Sequence, residues 1–169
     1  MANINNVKLG ACDVTYKSVA LGHVKDGVEV TYEPDYADIS VDAYGSTIVQ
    51  KVLKGEKLMV KMKLAELTIA NLRNAIPQSE FAGAANARIT IGHKAGQLAT
   101  AEAGLLEIHP TAEGTRVRDI ALYKAYVVDV VTVPHNNDEP SLIEVTFLAL
   151  LDETKQDGNY LGLWGDSTA

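Results

Sequence analysis

Two segments with strict alternation of apolar and polar side chains constrain the fold of this chain most strongly. They span residues 28–33 and residues 57–64. A period of two residues is typical of a β-strand that packs one face and exposes the other. Val, Ile and Thr together number 39, whereas a sustained helical period appears once. We therefore predict a mainly β, sheet-dominated domain with one short α-helix.

Length, charge and cysteine content narrow the class of protein further. The chain has 169 residues, a net charge of −7 and a single cysteine, Cys12. We expect a single domain over residues 1–169, with an N-terminal arm at 1–14, a C-terminal arm at 152–169 and no internal disulfide. The acidic balance argues against a protein that grips nucleic acid by its phosphates. The sequence also predicts no signal peptide and no transmembrane helix.

Turn and capping residues predict where the strands and the helix begin and end. Asp26-Gly27 between residues 19–25 and 28–33 predicts a hairpin turn. Thr68 and Pro77 bracket a helix over residues 69–76. Residues 82–87 are predicted to be a linker. Further strands are predicted at 88–93, 104–109, 120–133 and 141–151, the last two joined by a polar turn at 135–140.

The segment from residue 33 to residue 55 is harder to interpret, because its alternation is weak. It is either one long extended loop, bounded at about 34–56, or two loosely paired strands with a tip near residues 43–46. Its charges are segregated: residues 26–42 carry six acids and no base, and residues 51–63 carry five lysines and one acid. A segment this long in a compact domain is usually functional.

Motifs for catalysis, metal binding and cofactors are missing from the sequence. The histidines fall in four separate segments without metal-ligand spacing, and no glycine pattern matches a phosphate-binding loop. We expect no catalytic residue, no metal and no cofactor, and hence no enzyme. The lysine-rich run is interpreted as a solvated strand face or an interface. The aromatic patch at 160–164 is interpreted as a segment that docks on the core or on a neighbouring subunit.

Taken in order, the elements resemble the tail tube proteins (major tail proteins) of long-tailed bacteriophages. The resemblance covers most of residues 15–165. It rests on the glycine-containing region 20–22 before the 28–33 strand, the long segment 35–57 with the sequence DAYGS, the strand-to-helix junction VKMKLAELTIANL at 60–72, and the late strand IEVTFLALLD at 143–152 with Gly158 beyond it. It implies a tail tube fold, which is a β-sandwich or barrel-like domain with one short helix packed against it. In this fold the long segment contacts the adjacent subunit and the next ring. Many members carry an additional immunoglobulin-like domain, which we do not expect here.

The resemblance implies a structural virion protein made in the host cytoplasm. Six copies form a ring, and rings stack into a tube that conducts double-stranded DNA without binding it specifically. The implied partners are further copies of the chain, a tape measure protein, and tail terminator and tip proteins, with no membrane. Strand alternation and net charge suggest an acidic lumen, and its candidate residues are Glu29, Thr31, Glu33, Glu144 and Thr146. The candidates for contacts between subunits or rings are Asp35, Tyr36, Asp38, Asp42, Tyr44, Lys51, Lys54, Lys57, Tyr160 and Trp164.

Three other functions stay open at this level. A secretion-type or contractile-tail inner tube protein has a similar fold. A monomeric β-sandwich that binds carbohydrate or protein would be expected to cluster its exposed aromatics, yet aromatic residues are 6% of this chain and are spread out. A small β-barrel enzyme is disfavoured by the missing motifs.

Overall fold

The fold is described from a computed structural model, which covers residues 10–83, 87–92, 95–111, 114–129, 131–135, 140–155 and 160–166. It is mainly β, as predicted from the alternation. The strands are β1 (Cys12–Tyr16), β2 (Val19–Ala20), β3 (Val24–Ser40), β4 (Ile48–Leu64), β5 (Glu80–Ala82), β6 (Arg88–Thr90), β7 (Gly104–Pro110), β8 (Ile120–Val127), β9 (Ile143–Leu150) and β10 (Gly162–Trp164). The helices are α1 (Ile69–Ala75) and α2 (Ala99–Glu102).

One large antiparallel sheet organises the molecule. Its strand order is β2-β1-β7-β8-β9-β4-β3, and β10 pairs with β8. Strands β5 and β6 form a separate two-stranded sheet. Long strand β3 therefore lies at one edge of the large sheet, and short strand β2 lies at the other. Among the described residues, β3 pairs only with β4, so its outer edge is open.

The large sheet curls around one hydrophobic core. Tyr16 on β1 and Phe147 on β9 have ring centroids 5.0 Å apart, although β7 and β8 lie between their strands. Three strand spacings in a flat sheet would place these rings about 14 Å apart. The sheet must therefore bend strongly to bring them together. This curvature agrees with the predicted barrel-like character.

The predicted hairpin turn at Asp26-Gly27 is wrong. Both residues have positive φ, 64° and 82°, as a tight turn would require. They lie instead inside β3, as a bulge between Lys25 and Val28. Residues 19–20 pair with β1 rather than with the following strand. A bulge with a left-handed residue and a tight hairpin turn can both need positive φ, so the dipeptide alone does not distinguish them.

Helix α1 begins at the predicted residue and ends at Ala75, one residue before the predicted end. The Thr68 hydroxyl accepts a hydrogen bond from the Asn71 backbone N–H at 3.1 Å, which caps the first turn. The buried Asn71 amide also donates to the carbonyl oxygens of Leu21 (3.0 Å) and Glu66 (2.9 Å). It thereby links the helix start to the chain entering β3. At Gly22 the φ is +78°, which strains a residue with a side chain, and the Glu66 carboxylate would have to move aside for one.

Residues 33–55 do not form a long loop. Strands β3 and β4 pair from Val24↔Leu64 to Ser40↔Ile48, with a single 3₁₀ turn at Asp42–Tyr44 near the tip. The paired-strand alternative is therefore confirmed, and the extended-loop alternative is wrong. Two bulges interrupt the pairing, where Lys54 and Val49 on β4 have no residue opposite them on β3.

The remaining strand predictions hold with changed bounds, and β7 runs one residue beyond the predicted 104–109. The predicted strand at 120–133 ends at Val127, and the one at 141–151 is reduced to Ile143–Leu150. The predicted linker begins inside β5, and α2 was not predicted. The centre of the 135–140 turn, the end of the 88–93 strand, residues 1–9 of the N-terminal arm and Gly158 lie outside the described residues. None of the helices in the described part of the chain is long and apolar enough to cross a bilayer.

Candidate functional site

The outer part of the β3–β4 hairpin, residues 32–57, extends past the rest of the sheet, and we call it the arm. Strand β9 pairs with β4 only from Leu64 to Met59, so the arm strands pair only with each other in the described structure. Every arm residue is exposed except Pro34 and Ala37, which are half-buried. Nine large hydrophobic side chains are exposed along it. They are Tyr32, Tyr36, Ile39, Val41, Tyr44, Ile48, Val49, Val52 and Leu53.

This arrangement is unusual for a protein that functions as a monomer. An isolated two-stranded hairpin is at best marginally stable in water. Large exposed apolar surfaces usually mark a site of protein contact. The candidates for contacts between subunits divide between the arm and the C-terminal segment. Those in the arm are Asp35, Tyr36, Asp38, Asp42, Tyr44, Lys51, Lys54 and Lys57.

The charge segregation along the sequence is explained within one chain. The acidic segment is β3 and the lysine-rich segment is β4, and their side chains face each other across the hairpin. The ion pairs are Lys51–Asp38 at 3.2 Å, Lys54–Asp35 at 4.0 Å and Lys57–Glu33 at 3.8 Å. The charge segregation therefore does not require lysines from a neighbouring molecule to balance the acidic segment. These exposed pairs contribute only about 0–1 kcal/mol each.

The five lumen candidates lie on one face of the sheet, opposite the core. Directly opposed residues of antiparallel strands project to the same side, and Glu29, Lys61 and Thr146 form one row across three strands. The other face of the same strands carries buried Val60 and Val145. The remaining opposed pairs on the outer face are Thr31↔Met59, Glu33↔Lys57 and Lys63↔Glu144.

This outer face has mixed charge. Each of its three candidate glutamates lies opposite a lysine, so these pairs carry no net charge. Lys63 contacts both Asp26 (3.1 Å) and Glu144 (3.8 Å). Its hydrogen bond to Asp26 is the main reason that its pKa is raised. The acidic lining expected from the net charge is therefore replaced by a ladder of paired charges.

A groove of about 510 Å³ opens at the base of the arm, and we call it the basal groove. It lies between β10 and the part of β4 that has passed the end of β9. Of the described residues that line it, only Glu56 is charged. Glu56 accepts a hydrogen bond from the Tyr32 hydroxyl, which raises the pKa of that phenol. The main apolar lining residues are Tyr32, Leu58, Ile120, Tyr160, Leu163 and Trp164.

The basal groove brings together residues that sequence reasoning kept apart. The sequence identifies the aromatic patch at Tyr160 and Trp164 as a candidate contact. It does not connect Tyr32, Leu58 and Ile120 with that patch. No sequence signal joins them, because β3, β4, β8 and β10 meet there only through the sheet topology. Trp164 is 69% exposed, so it does not dock on the core of its own chain.

The described part of the chain, which does not include His93, shows no recognisable centre among its histidines and Cys12. His109 Nδ1 lies 2.6 Å from the Asp119 carboxylate, and Arg116 lies 3.9 Å from the other oxygen of that group. Cys12 packs at the edge of the core, and burial raises the pKa of its thiol. Within the described ranges, no group of three or more His, Cys, Asp or Glu side chains is placed to hold a metal ion.

Tyr16 is the most perturbed titratable residue of the core. Its hydroxyl lies within hydrogen-bond distance of the carbonyl oxygens of Ala125 (3.1 Å) and Glu102 (3.2 Å). Burial, with a smaller contribution from the charge of Glu102, raises the pKa of Tyr16 to about 12. The ordinary pKa of a tyrosine is about 10. Folding therefore favours the neutral phenol.

The raised pKa of Tyr16 predicts a loss of stability at alkaline pH. Its contribution is complete below about pH 10, and it is lost as the pH rises through about 12, because only the unfolded chain ionises readily. Tyr16→Phe should cost about 1–2 kcal/mol at neutral pH through the lost hydrogen bond. The difference in free energy of unfolding between wild type and variant should shrink above pH 10. Urea titrations at pH 7–11 measure it, and a constant difference would contradict the assignment.

Comparisons with known proteins add no family to these observations. No model of a protein family matches the chain, and no curated protein matches it significantly. The resemblance to tail tube proteins thus stays a prediction.

Proposed function

We propose that this protein is a structural subunit that forms rings, and that the rings stack into a tube of the phage tail type. The observation that carries the proposal is the arm. In the described structure its two strands pair only with each other, so their outer edges are open, and its apolar side chains are exposed. Unpaired strand edges are templates for pairing with another chain. A neighbouring copy that covers the arm would supply the hydrophobic contacts that a lone subunit lacks.

The size of a six-subunit ring fits the passage of duplex DNA. Strands β8, β9, β4 and β3 are consecutive in the sheet, and six copies of these four strands would give about 24 strands. At about 4.8 Å between strands and tilts up to about 45°, the wall radius is roughly 18–26 Å. Side chains of about 5 Å leave roughly 13–21 Å, whereas a B-form duplex has a radius on the order of 10 Å.

Paired charges on the candidate lumen face suit a conduit. A lysine-rich wall would release counterions from the DNA and hold it. In this chain the three candidate glutamates compensate three lysines, so the phosphates would meet little net attraction. The gap to the duplex is comparable with the Debye length of about 8–10 Å, so any uncompensated charge would be felt.

The oligomeric state tests the proposed function directly. Purified full-length protein should form hexameric rings and tubes as its concentration rises, visible by size-exclusion chromatography with light scattering and by negative-stain microscopy. The lumen should be wide enough for a duplex. A stable monomer at high concentration would contradict the proposal and favour a monomeric binding module.

Charge reversal in the lumen should turn a passive wall into one that holds DNA. Glu29→Lys changes the net charge of each subunit by two units in the positive direction and leaves Lys61 without its opposed acid. Assembled Glu29→Lys tubes should retain linear duplex DNA in a filter assay at low salt and release it as salt increases. Wild-type tubes should retain little. Glu153→Lys, an equal reversal at an exposed position outside the candidate face, should behave as wild type, and equal retention by both variants would contradict a lumen position for Glu29.

A further inference from the structure

We propose that the basal groove receives the arm tip of a second copy in the adjoining ring. The tip is residues 41–49. This inference rests on the proposed tube function and adds to it the site that receives the arm. The groove and the tip lie at opposite ends of the same hairpin, so each copy carries both halves of the contact.

The groove has the composition of a contact core. Its wall includes Tyr32, Tyr160 and Trp164, which are 54%, 40% and 69% exposed. Charged residues are depleted and aromatic residues enriched at the centres of protein interfaces. Charged residues make up 22% of the chain, whereas Glu56 is the one charged residue of the described groove lining and is already hydrogen-bonded to Tyr32.

The tip matches the groove in chemistry. Across residues 41–49 the only charged residue is Asp42. Tyr44 is 67% exposed, and Ile48 and Val49 are each about half exposed. The tip has no lysine or arginine, and its one charge, Asp42, would have to stay in solvent at the rim, because the described groove lining has no cation to pair with it. An aromatic anchor with aliphatic neighbours is the kind of group that fills an apolar pocket at an interface.

A lone chain cannot make this contact with itself. Ile48 and Leu58 are ten residues apart on the same strand, β4, which places the tip about 30 Å from the groove at about 3.3 Å per residue. The arm is a paired ribbon, so it does not fold back over that distance. The occupant must be another molecule, and every further copy presents the required tip.

The geometry also sets the direction of growth. A tip that enters a groove at the far end of the next molecule is a head-to-tail contact between different surfaces. Such a contact can repeat from molecule to molecule, because each added copy brings another free tip and another free groove. Contacts of this type stack rings, whereas the open edges of the large sheet remain available for contacts within a ring.

Three aspartate substitutions at equally exposed positions test the assignment. Trp164→Asp and Tyr44→Asp should each raise the protein concentration needed for stacking at least about tenfold while rings still form, because one anchor is lost from each contact. Leu98→Asp is the control, since Leu98 is 74% exposed and does not line the groove. The double variant Tyr44→Asp/Trp164→Asp should stack little worse than either single variant, because the two residues belong to one contact.

Disulfide trapping provides a second readout that does not depend on destabilising the protein. In a Cys12→Ser background, purified Tyr44→Cys and Leu163→Cys proteins should form mixed dimers when they are combined and oxidised. The combination of Tyr44→Cys and Leu98→Cys proteins should form no mixed dimers under the same conditions. Rings that stack normally in Trp164→Asp, or stacked rings that give no Tyr44–Leu163 product, would overturn the inference and leave the proposed function intact. Wild-type protein that forms no rings would overturn both.

Discussion

Removing the outer half of the arm should give a folded protein that forms no tubes. Ala37 and Val52 are directly opposed in the hairpin, so deleting residues 38–51 and joining these two with Asn-Gly closes the ribbon with a favourable two-residue turn. The deletion removes the tip and most of the exposed apolar side chains. It leaves the core strands untouched, because the buried residues of β4 begin at Val60.

Stability and assembly should therefore separate in this variant. We expect the free energy of unfolding to change by no more than about 1 kcal/mol, since the deleted residues are exposed, while microscopy finds no stacked rings at any concentration tested. Asp38→Ala/Lys51→Ala is the matched control, because it removes one exposed ion pair of 3.2 Å without shortening the arm. It should still assemble. Normal tubes from the deletion would remove the assembly role assigned to the arm.

Phe147→Ala should be among the most destabilising single substitutions in the molecule. Phe147 is 1% exposed and packs against Tyr16 across the curled sheet. Truncation would leave a cavity where β9 lies between β4 and β8, at a cost of about 3–5 kcal/mol. That cost is a large fraction of the total stability of a domain, which is typically about 5–15 kcal/mol.

The neighbouring residue on the same strand is the matched control. Leu148 projects from the opposite face of β9 and is only half-buried. Leu148→Ala should therefore cost clearly less than Phe147→Ala in urea denaturation followed by circular dichroism. Equal losses for the two variants would mean that the buried face of β9 has been misassigned.

Sequence reasoning located the strands with the clearest alternation, because a period of two residues reports which face is buried. Residues 58–64 of β4 and residues 143–150 of β9 follow this rule, and α1 was found from Thr68 and Pro77. The Asp26-Gly27 dipeptide predicts a reversal of the chain, whereas the structure has a bulge inside β3 at these residues. Its backbone conformation was predictable, but the strand that pairs with β3 was not.

The candidate site was predictable only in part. Residues 33–55 stood out by length and charge, and the aromatic patch at 160–164 stood out by composition. The basal groove depends on β10 continuing beside β8 where β9 ends, which brings Tyr32 and Trp164 to one opening. The pairing of acidic β3 with basic β4 likewise depends on register. Contacts between residues more than a hundred positions apart leave no trace in a local pattern.

The two interruptions of the arm ladder at Lys54 and Val49 bear on how the protein avoids amyloid-like self-association. A long, flat, regular border would nucleate indiscriminate fibres in a crowded cell. Bulges twist and break that border, so the chain offers no continuous template for cross-β growth. Deleting Lys54 and Val49 would straighten the ribbon and should make the protein more prone to precipitate.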